Sequence, residues 1–474
     1  MSLPKLGDED DSLAPEALDF LRRVLAAPLP SSKEFLSITL PAPTEAAEKF
    51  LRLLPREGGF LWRALGREQF AGGGEAGRVT VSGADRFAML ARAVPEFFSR
   101  VTTVAFQGAP PLPVLVGGAA FAPDTPAIEP WEEFADDAFV LPRWGYRRHR
   151  GSASITLTVH AEDIGSPERV ERLVDEARTL TRAFEYEAAT SLIERIDLAN
   201  ATIRHLPPDD WRMYIDAIHS AIASGEFKKI VAARRCVVDL HRVLEDTGFM
   251  ARIFAAYPDC IHYAIRRDRS TFLGATPETL FRKHGLALET HALAGTTRIK
   301  DDPASDSSRD VAALQGSEKD LGEHALVVQR ICSELRPLAK HIQCAPSPST
   351  RQVRNLIHLQ TPISAELHEE TSVFDLLAAL HPTPAVGGFP AREAAAWITR
   401  NEPLERGWYS GAVGWIDAAG DGEFAVAIRC GVLTRTRAYI FAGAGIVAAS
   451  DAAAEYAETG AKMAPVLRAL GVLF

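Results

Sequence analysis

Residues 424–470 read FAVAIRCGVLTRTRAYIFAGAGIVAASDAAAEYAETGAKMAPVLRAL, and this stretch decides the fold class. Phe424–Leu433 and Ala438–Val447 are apolar runs with β-branched and aromatic residues, which predicts two strands joined by a turn. Ala453–Leu470 then carries a helical pattern, with Met463, Val466 and Leu470 on one arc. Working outward, further strand-like runs occur at Lys229-Ile-Val-Ala-Ala-Arg-Arg-Cys-Val-Val, Ile261–Ile265, Leu286–Leu293 and Gly411–Ile416. Helical patterns intervene at Trp211–Ser224, Ser317–His341 and Val373–Leu380. Turn-linked groups of strands with helices between the groups define an α+β chain, not a strict βαβ alternation. No G-x-G-x-x-G opens a helix after a strand and no G-x-x-x-x-G-K-[ST] is present, which excludes Rossmann and P-loop readings.

Before residue 210 the pattern is mixed. Pro113–Gly117 and Ala153–His160 read as strands, and Ser166–Thr190 as a helix that opens Ser-Pro-Glu, a cap followed by Pro at the first helical position. Ile196–Asp210, with Pro207-Pro208-Asp209-Asp210, reads as a connection and the cap of the next helix. The acidic residues 1–12 are expected to be loose.

The chain has 474 residues, 47% of them hydrophobic and 24% charged, values of an ordinary globular protein. A formal charge of −10 argues against a nucleic-acid partner. The five cysteines are widely spaced without a C-x-x-C pair, which favours a reducing compartment over a disulfide framework or a zinc ribbon. The opening residues hold no basic segment followed by an apolar one, so no secretory leader is expected. No run of about 18 apolar residues occurs, so no membrane span is expected. The location expected from these features is cytoplasmic.

Several polar residues sit where chemistry is possible. Glu455, Glu458 and Lys462 lie within about 60° of one another around the last helix, beside its apolar arc. They are either a solvated salt-bridge face or a cation site with an anion hook. Glu323, among Leu321, Ala325, Leu326, Val327 and Val328 on a helix capped by Ser317-Glu-Lys-Asp320, is either a satisfied ion pair or a ligand for a hard cation. Lys229, opening an apolar strand, is either solvated or a base with a lowered pKa. Glu278, in the turn Gly274-Ala-Thr-Pro-Glu-Thr, is an exposed acid or, if desolvated, a general acid. Phe441-Ala-Gly-Ala-Gly-Ile is either a backbone cradle for an anion or a tight strand crossing.

From about Asp210 to Phe474 the chain resembles the chorismate-utilising enzymes, which include anthranilate, aminodeoxychorismate, isochorismate and salicylate synthases. The resemblance runs in order through Lys229-Ile-Val-Ala-Ala-Arg, Gly274-Ala-Thr-Pro-Glu, Leu293-Ala-Gly-Thr, Ser317-x-Lys-Asp-x-x-Glu-His, His358-Leu-x-Thr, His381-Pro-Thr-Pro-Ala, Ile428-Arg-Cys, Ala442-Gly-Ala-Gly-Ile and Glu455-x-x-Glu-x-x-x-Lys462. It implies an anthranilate synthase component I-like fold: two β-sheets packed into a core with helices outside. Residues 1–30 would be an N-terminal segment, partly mobile, 31–205 the variable N-terminal half of the fold, and 206–474 the chorismate-binding catalytic region.

The resemblance further implies a Mg²⁺ site with Glu323 and Glu458 as ligands and Glu455 close by. Arg429 and Lys462 would hold a substrate carboxylate, and His358, Gly295 and Gly445 would line the pocket. Lys229 stands where ammonia-using members carry Gln, and Ala294 where aminodeoxychorismate synthase carries its nucleophilic Lys. Both positions, together with Gly414-Trp-Ile-Asp and Gly422-Glu-Phe-Ala-Val-Ala-Ile-Arg, point to the isochorismate synthase branch. The implied reaction is water attack at C2 of chorismate with loss of the C4 hydroxyl, Lys229 as base and Glu278 as acid. Salicylate synthase, which adds pyruvate elimination, is the alternative, with Ala385 and Val386 as candidate deciding residues; a non-catalytic chorismate-binding relative is a further one. Menaquinone biosynthesis is favoured over a siderophore pathway. Neither a glutamine amidotransferase subunit nor a membrane partner is expected, and a monomer is.

Overall fold

The computed structural model describes residues 13–64, 66–107, 113–149, 151–186, 201–240, 243–298, 307–353 and 356–471. The acidic opening segment 1–12, the end of the helix expected to reach Thr190, and the start of the connection at Ile196 lie outside the described residues.

The architecture turns on one long strand, Asp137–His149. At about 3.3 Å per residue, 13 residues can serve several partners. One edge pairs along nearly its whole length with Gln69–Val81. The other edge pairs with Val114–Ala119 near its start and Ser152–His160 near its end. From this branch the first sheet continues through Phe60–Arg63, Ile261–Arg266, Thr271–Thr276, Cys430–Leu433 and Arg437–Ile446 to Lys229–Asp239. The second continues from Val114–Ala119 through Ala412–Asp417, Gly422–Val426, Thr279–His284 and Ala287–Arg298 to Leu356–Leu367. Ser152–His160 leads to Phe35–Pro41, whose pairing with Val101–Ala105 is the one parallel ladder among the described strands.

The two expected sheets are therefore present, joined into one curled ladder. Strand periodicity explains how they pack. Tyr439 and Phe441 face a core between the sheets, with Trp62, Phe272, Val413 and Trp408. Ala438, Ile440 and Ala442 face the other way, toward the helices Pro15–Ala26, Pro167–Tyr186, Asp246–Ala256 and Ala452–Ala469. Helices Arg86–Ser99, Glu318–Leu335 and Val373–Leu380 cover the outer face of the second sheet. Between the sheets Trp131 stacks on Phe441 at 5.3 Å, and Phe134 meets Trp408 edge-on at 5.3 Å.

Two sequence expectations need correction. Phe424–Leu433 is not one strand. Gly422–Val426 belongs to the second sheet and Cys430–Leu433 to the first, and the chain changes sheet at Arg429, whose φ is +51°. The helix expected over Ser317–His341 stops at Leu335, and Ala339–Cys344 is a strand on the edge of Leu356–Leu367. All five cysteines are free thiols. Two of them, 12 residues apart, touch: Cys332 Sγ lies 2.9 Å from Cys344 Sγ.

Strands from before and after residue 205 interleave. Val114–Ala119 lies between Asp137–His149 and Ala412–Asp417, and Ile203–His205 pairs with Lys229–Asp239. Among the described residues no helix is long and apolar enough to cross a membrane.

Candidate active site

Lys229 is the first residue of its strand, held between Phe389 on one side and the Arg437–Ile446 strand on the other. Its stem crosses Gly445, where a Cβ would come within 2.6 Å of Lys229 Cε. Gly445 thus clears a path for the lysine. Lys229 Nζ donates to Glu323 Oε1 at 3.1 Å, and the lysine side chain is a quarter exposed. Glu323 sits on the second turn of a helix whose cap is Ser317, which accepts from the Asp320 N–H. His324 anchors that helix to the second sheet through Ala294 O (3.1 Å) and Thr361 Oγ1 (2.7 Å).

Glu278 occupies the turn between Thr271–Thr276 and Thr279–His284. Its N–H donates to Thr276 Oγ1 at 3.2 Å, and its carbonyl accepts from the Val426 N–H at 3.0 Å. The carboxyl is 8% exposed and accepts from Thr383 Oγ1 at 3.1 Å. Burial pushes its pKa up to about 7, against the opposing pull of the Thr383 hydroxyl and of the Lys229 charge. The turn acid is therefore desolvated, and Lys229 acts on it.

A second group forms around Lys462 on the Ala452–Ala469 helix. Lys462 Nζ lies 2.8 Å from Glu458 Oε1 and donates to the Gly443 carbonyl at 2.8 Å. Burial and the positive charges of Arg429, Lys462 and Arg351 drive His358 down to about 4, so its ring is neutral near pH 7. Arg429, Lys462, Arg351 and His358 thus share one neighbourhood. The Arg429 guanidinium lies over the Tyr257 ring at 5.3 Å. The Arg437–Ile446 strand links the two groups: Gly443 holds Lys462 and Gly445 underlies Lys229, two residues and roughly 6.5 Å apart. Gly445 serves as clearance in this arrangement. Gly295 sits at φ +76° in a bulge of the Ala287–Arg298 strand, against Leu359 and Asp320.

The three expected metal carboxylates are not gathered. Among the described residues no set of three or more His, Cys, Asp or Glu side chains converges closely enough to hold an ion. Glu323 faces Lys229, whereas Glu458 faces Lys462 and also Glu455. Burial raises the pKa of Glu455, Ser450 opposes this by hydrogen bonding, and the charge of Glu458 adds to the rise. Two carboxylates in mutual repulsion are a donor set that a hard cation suits. Mg²⁺ commonly takes one or two carboxylates plus substrate oxygens, without a closed protein cage. The residues present fit such an ion.

Sequence reasoning passed over the supports of the site. Thr383, flanked by two prolines, is the one side-chain donor to Glu278 among the described residues. Arg406 and Glu402 form a buried pair, 3% and 1% exposed, that ties the Lys229 strand to the 381–389 loop. Arg406 donates to Val231 O and Val386 O, both at 2.8 Å, and Glu402 Oε1 accepts from the Ala233 N–H at 2.8 Å. Their i, i+4 spacing was the available signal. Arg234 stacks 3.8 Å over Tyr456 and donates to Thr459 Oγ1 at 2.7 Å, fixing the helix that carries Glu455, Glu458 and Lys462.

The fold matches a known class. The chorismate binding enzyme family matches residues 23–471, and the chain belongs to that family. It is an enzyme chain. Among its relatives, isochorismate synthase MenF of Bacillus subtilis is 32% identical over 366 residues, covering 76% of this chain and 75% of its own. The salicylate biosynthesis isochorismate synthase of Pseudomonas aeruginosa is 34% identical over 372 residues, with 77% and 75% covered. The solved structure of MenF, the menaquinone-specific isochorismate synthase from Escherichia coli, superposes with a TM-score of 0.77 at 25% identity, over 96% of this chain and 99% of that one. Anthranilate synthase component I from Streptococcus pneumoniae shares the fold, with a TM-score of 0.66 at 20% identity.

Proposed function

We propose that this chain is an isochorismate synthase, which converts chorismate to isochorismate by adding water at C2 and expelling the C4 hydroxyl. The observation that supports it most is a buried Glu278, raised to about 7, that lies within the electrostatic reach of Lys229. A carboxyl with a pKa of about 7 keeps half its protons at pH 7 and can deliver one to a departing hydroxyl. Lys229 would take the proton of the incoming water after it sheds its own proton and its ion pair with Glu323. One proton is accepted and one donated, so the reaction is balanced as a hydroxyl transposition. Arg429 and Lys462 hold substrate carboxylate, Arg through its planar fork and Lys as a point charge. Neutral His358 and the backbone at Gly295 shape the pocket wall.

Glu458 and Glu455 would hold Mg²⁺, with Glu323 joining them once it gives up its contact with Lys229. When bound, the ion would neutralise and orient the ring carboxylate of chorismate. The same reading carries menaquinone biosynthesis as the destination, a cytoplasmic location, a monomer, and no amidotransferase subunit. The test is incubation of the purified protein with chorismate, with and without magnesium, followed by product identification. Isochorismate formed only with magnesium, and lost in Lys229→Gln and Glu278→Gln, is expected. Turnover retained in both variants overturns the assignment, and salicylate with pyruvate as products would establish the salicylate synthase reading.

A further inference from the structure

Beyond the Lys229 and Lys462 groups, the second sheet carries a cavity of about 570 Å³. Its walls include Arg67, Arg282, Arg351, His291 and Gln360, with Glu289 as a carboxylate among them. None of Lys229, Glu278, Glu323, Arg429, Glu458 and Lys462 lines it. The register explains its basic character. Arg351 pairs opposite His358, Ser349 opposite Gln360, and His291 opposite Pro362, so alternate residues of three adjacent strands aim their side chains at one face.

The cations are unevenly satisfied. Arg67 is paired with Glu423, and Arg282 reaches Glu289 only at 3.8 Å, with both of those side chains exposed. Arg351 has no carboxylate partner among the described residues. His291 Nε2 is buried and makes no hydrogen bond to the described residues. Burial, then Arg351 and Arg67, drives His291 down to about 4, so near pH 7 the ring adds polar capacity without adding charge. A buried polar nitrogen without a partner costs free energy, and an arginine fork favours a planar carboxylate. The volume falls in the range of small-molecule pockets and exceeds what one inorganic anion fills.

We infer that this cavity is a second ligand site, lined by none of the proposed catalytic groups though it adjoins His358 of the pocket wall through Arg351, and that it binds a small dicarboxylate between Arg351 and Arg282 with His291 at its floor. The site also borders the catalytic acid. Thr279, Thr290 and His291 line both this cavity and a void of about 30 Å³ whose other walls include Glu278 and Thr383. An occupant therefore touches residues that also wall in Glu278. The dicarboxylate has two possible sources, the enzyme's own substrate or a separate metabolite, and the two are distinguishable by experiment.

The test is calorimetric titration of the full chain with succinate and with inorganic phosphate, without magnesium or chorismate, alongside NMR of histidine-labelled protein. Succinate is expected to bind, to shift the His291 ring resonances (assigned through His291→Gln), and to bind at least tenfold more weakly to Arg351→Gln. Lys462→Gln is expected to retain succinate binding. Loss of binding in Lys462→Gln, or equal binding in wild type and Arg351→Gln, overturns the inference, and neither outcome bears on the proposed reaction. Phosphate binding as tightly as succinate refutes the dicarboxylate assignment. A parallel titration with chorismate decides the source: displacement of bound succinate from the His291 site identifies the substrate, whereas simultaneous binding identifies a separate effector. A folded Arg351→Gln, checked by its thermal unfolding curve, keeps the comparison interpretable.

Discussion

At the scale of single residues, Glu278 carries the sharpest prediction. Its carboxyl is raised to about 7 by burial, and the Thr383 hydroxyl pulls against that rise by favouring the ionised form. Activity that needs the protonated acid is full well below pH 7 and falls as pH rises through it. Removing the hydroxyl while keeping the shape, as in Thr383→Val, raises the pKa further. The alkaline limb of kcat/KM should therefore move to higher pH; a limb that moved down or stayed would contradict the hydrogen bond's role. Stability follows the same sign. The neutral buried carboxyl contributes below its unfolded pKa of 4.5, and that contribution is lost as pH rises through about 7. The sequence placed Glu278 in a turn directly after an apolar strand, and residue types alone left open whether that turn was solvated. Burial was illegible because it is created by Val426 and Thr383, distant in the chain. Lys229 was legible as the opening residue of an apolar strand, but its pairing with Glu323 depends on a helix from elsewhere in the chain.

Elements show where local reading works and where it fails. Val373–Leu380 forms as the pattern predicts, with a capping box at Ser372 and Asp375 that signals its start. The Ser317 helix begins as predicted and ends early, because Arg336 to Leu338 turn the chain into an edge strand that completes the second sheet. Apolar content alone does not separate those two outcomes. The Lys229 strand is held in place by Arg406 and Glu402, which sequence reading did not weigh. Breaking a buried pair leaves one uncompensated charge, at a cost of about 3–5 kcal/mol. Glu402→Gln should lower stability by roughly that amount in a denaturant titration, and it should weaken activity through the displaced Lys229 strand. A cost near zero would mean that the pair is not structurally required.

For the whole molecule, the α+β class and the two packed sheets were readable from grouped strands with helices between them. Their union through Asp137–His149 was not, since branching of one strand between three partners leaves no periodic signal. That union makes the parts interdependent. A fragment of residues 206–474 lacks the strands Phe60–Arg63 and Val114–Ala119 that lie inside the two ladders. Expressed alone it should fail to give a cooperative unfolding transition by circular dichroism, and a sharp transition would show that the second half folds independently. The crossover at Arg429 carries a different consequence. A non-glycine residue with φ of +51° is held there at a conformational cost, of order 1 kcal/mol or more, which its surroundings offset. The same side chain shares the neighbourhood of Lys462 and His358, so the backbone would be more relaxed with glycine while the pocket would lose a cation. Arg429→Gly should therefore melt at a higher temperature and, on the proposed function, bind chorismate more weakly, which would set durability against grip on the ligand at a single position.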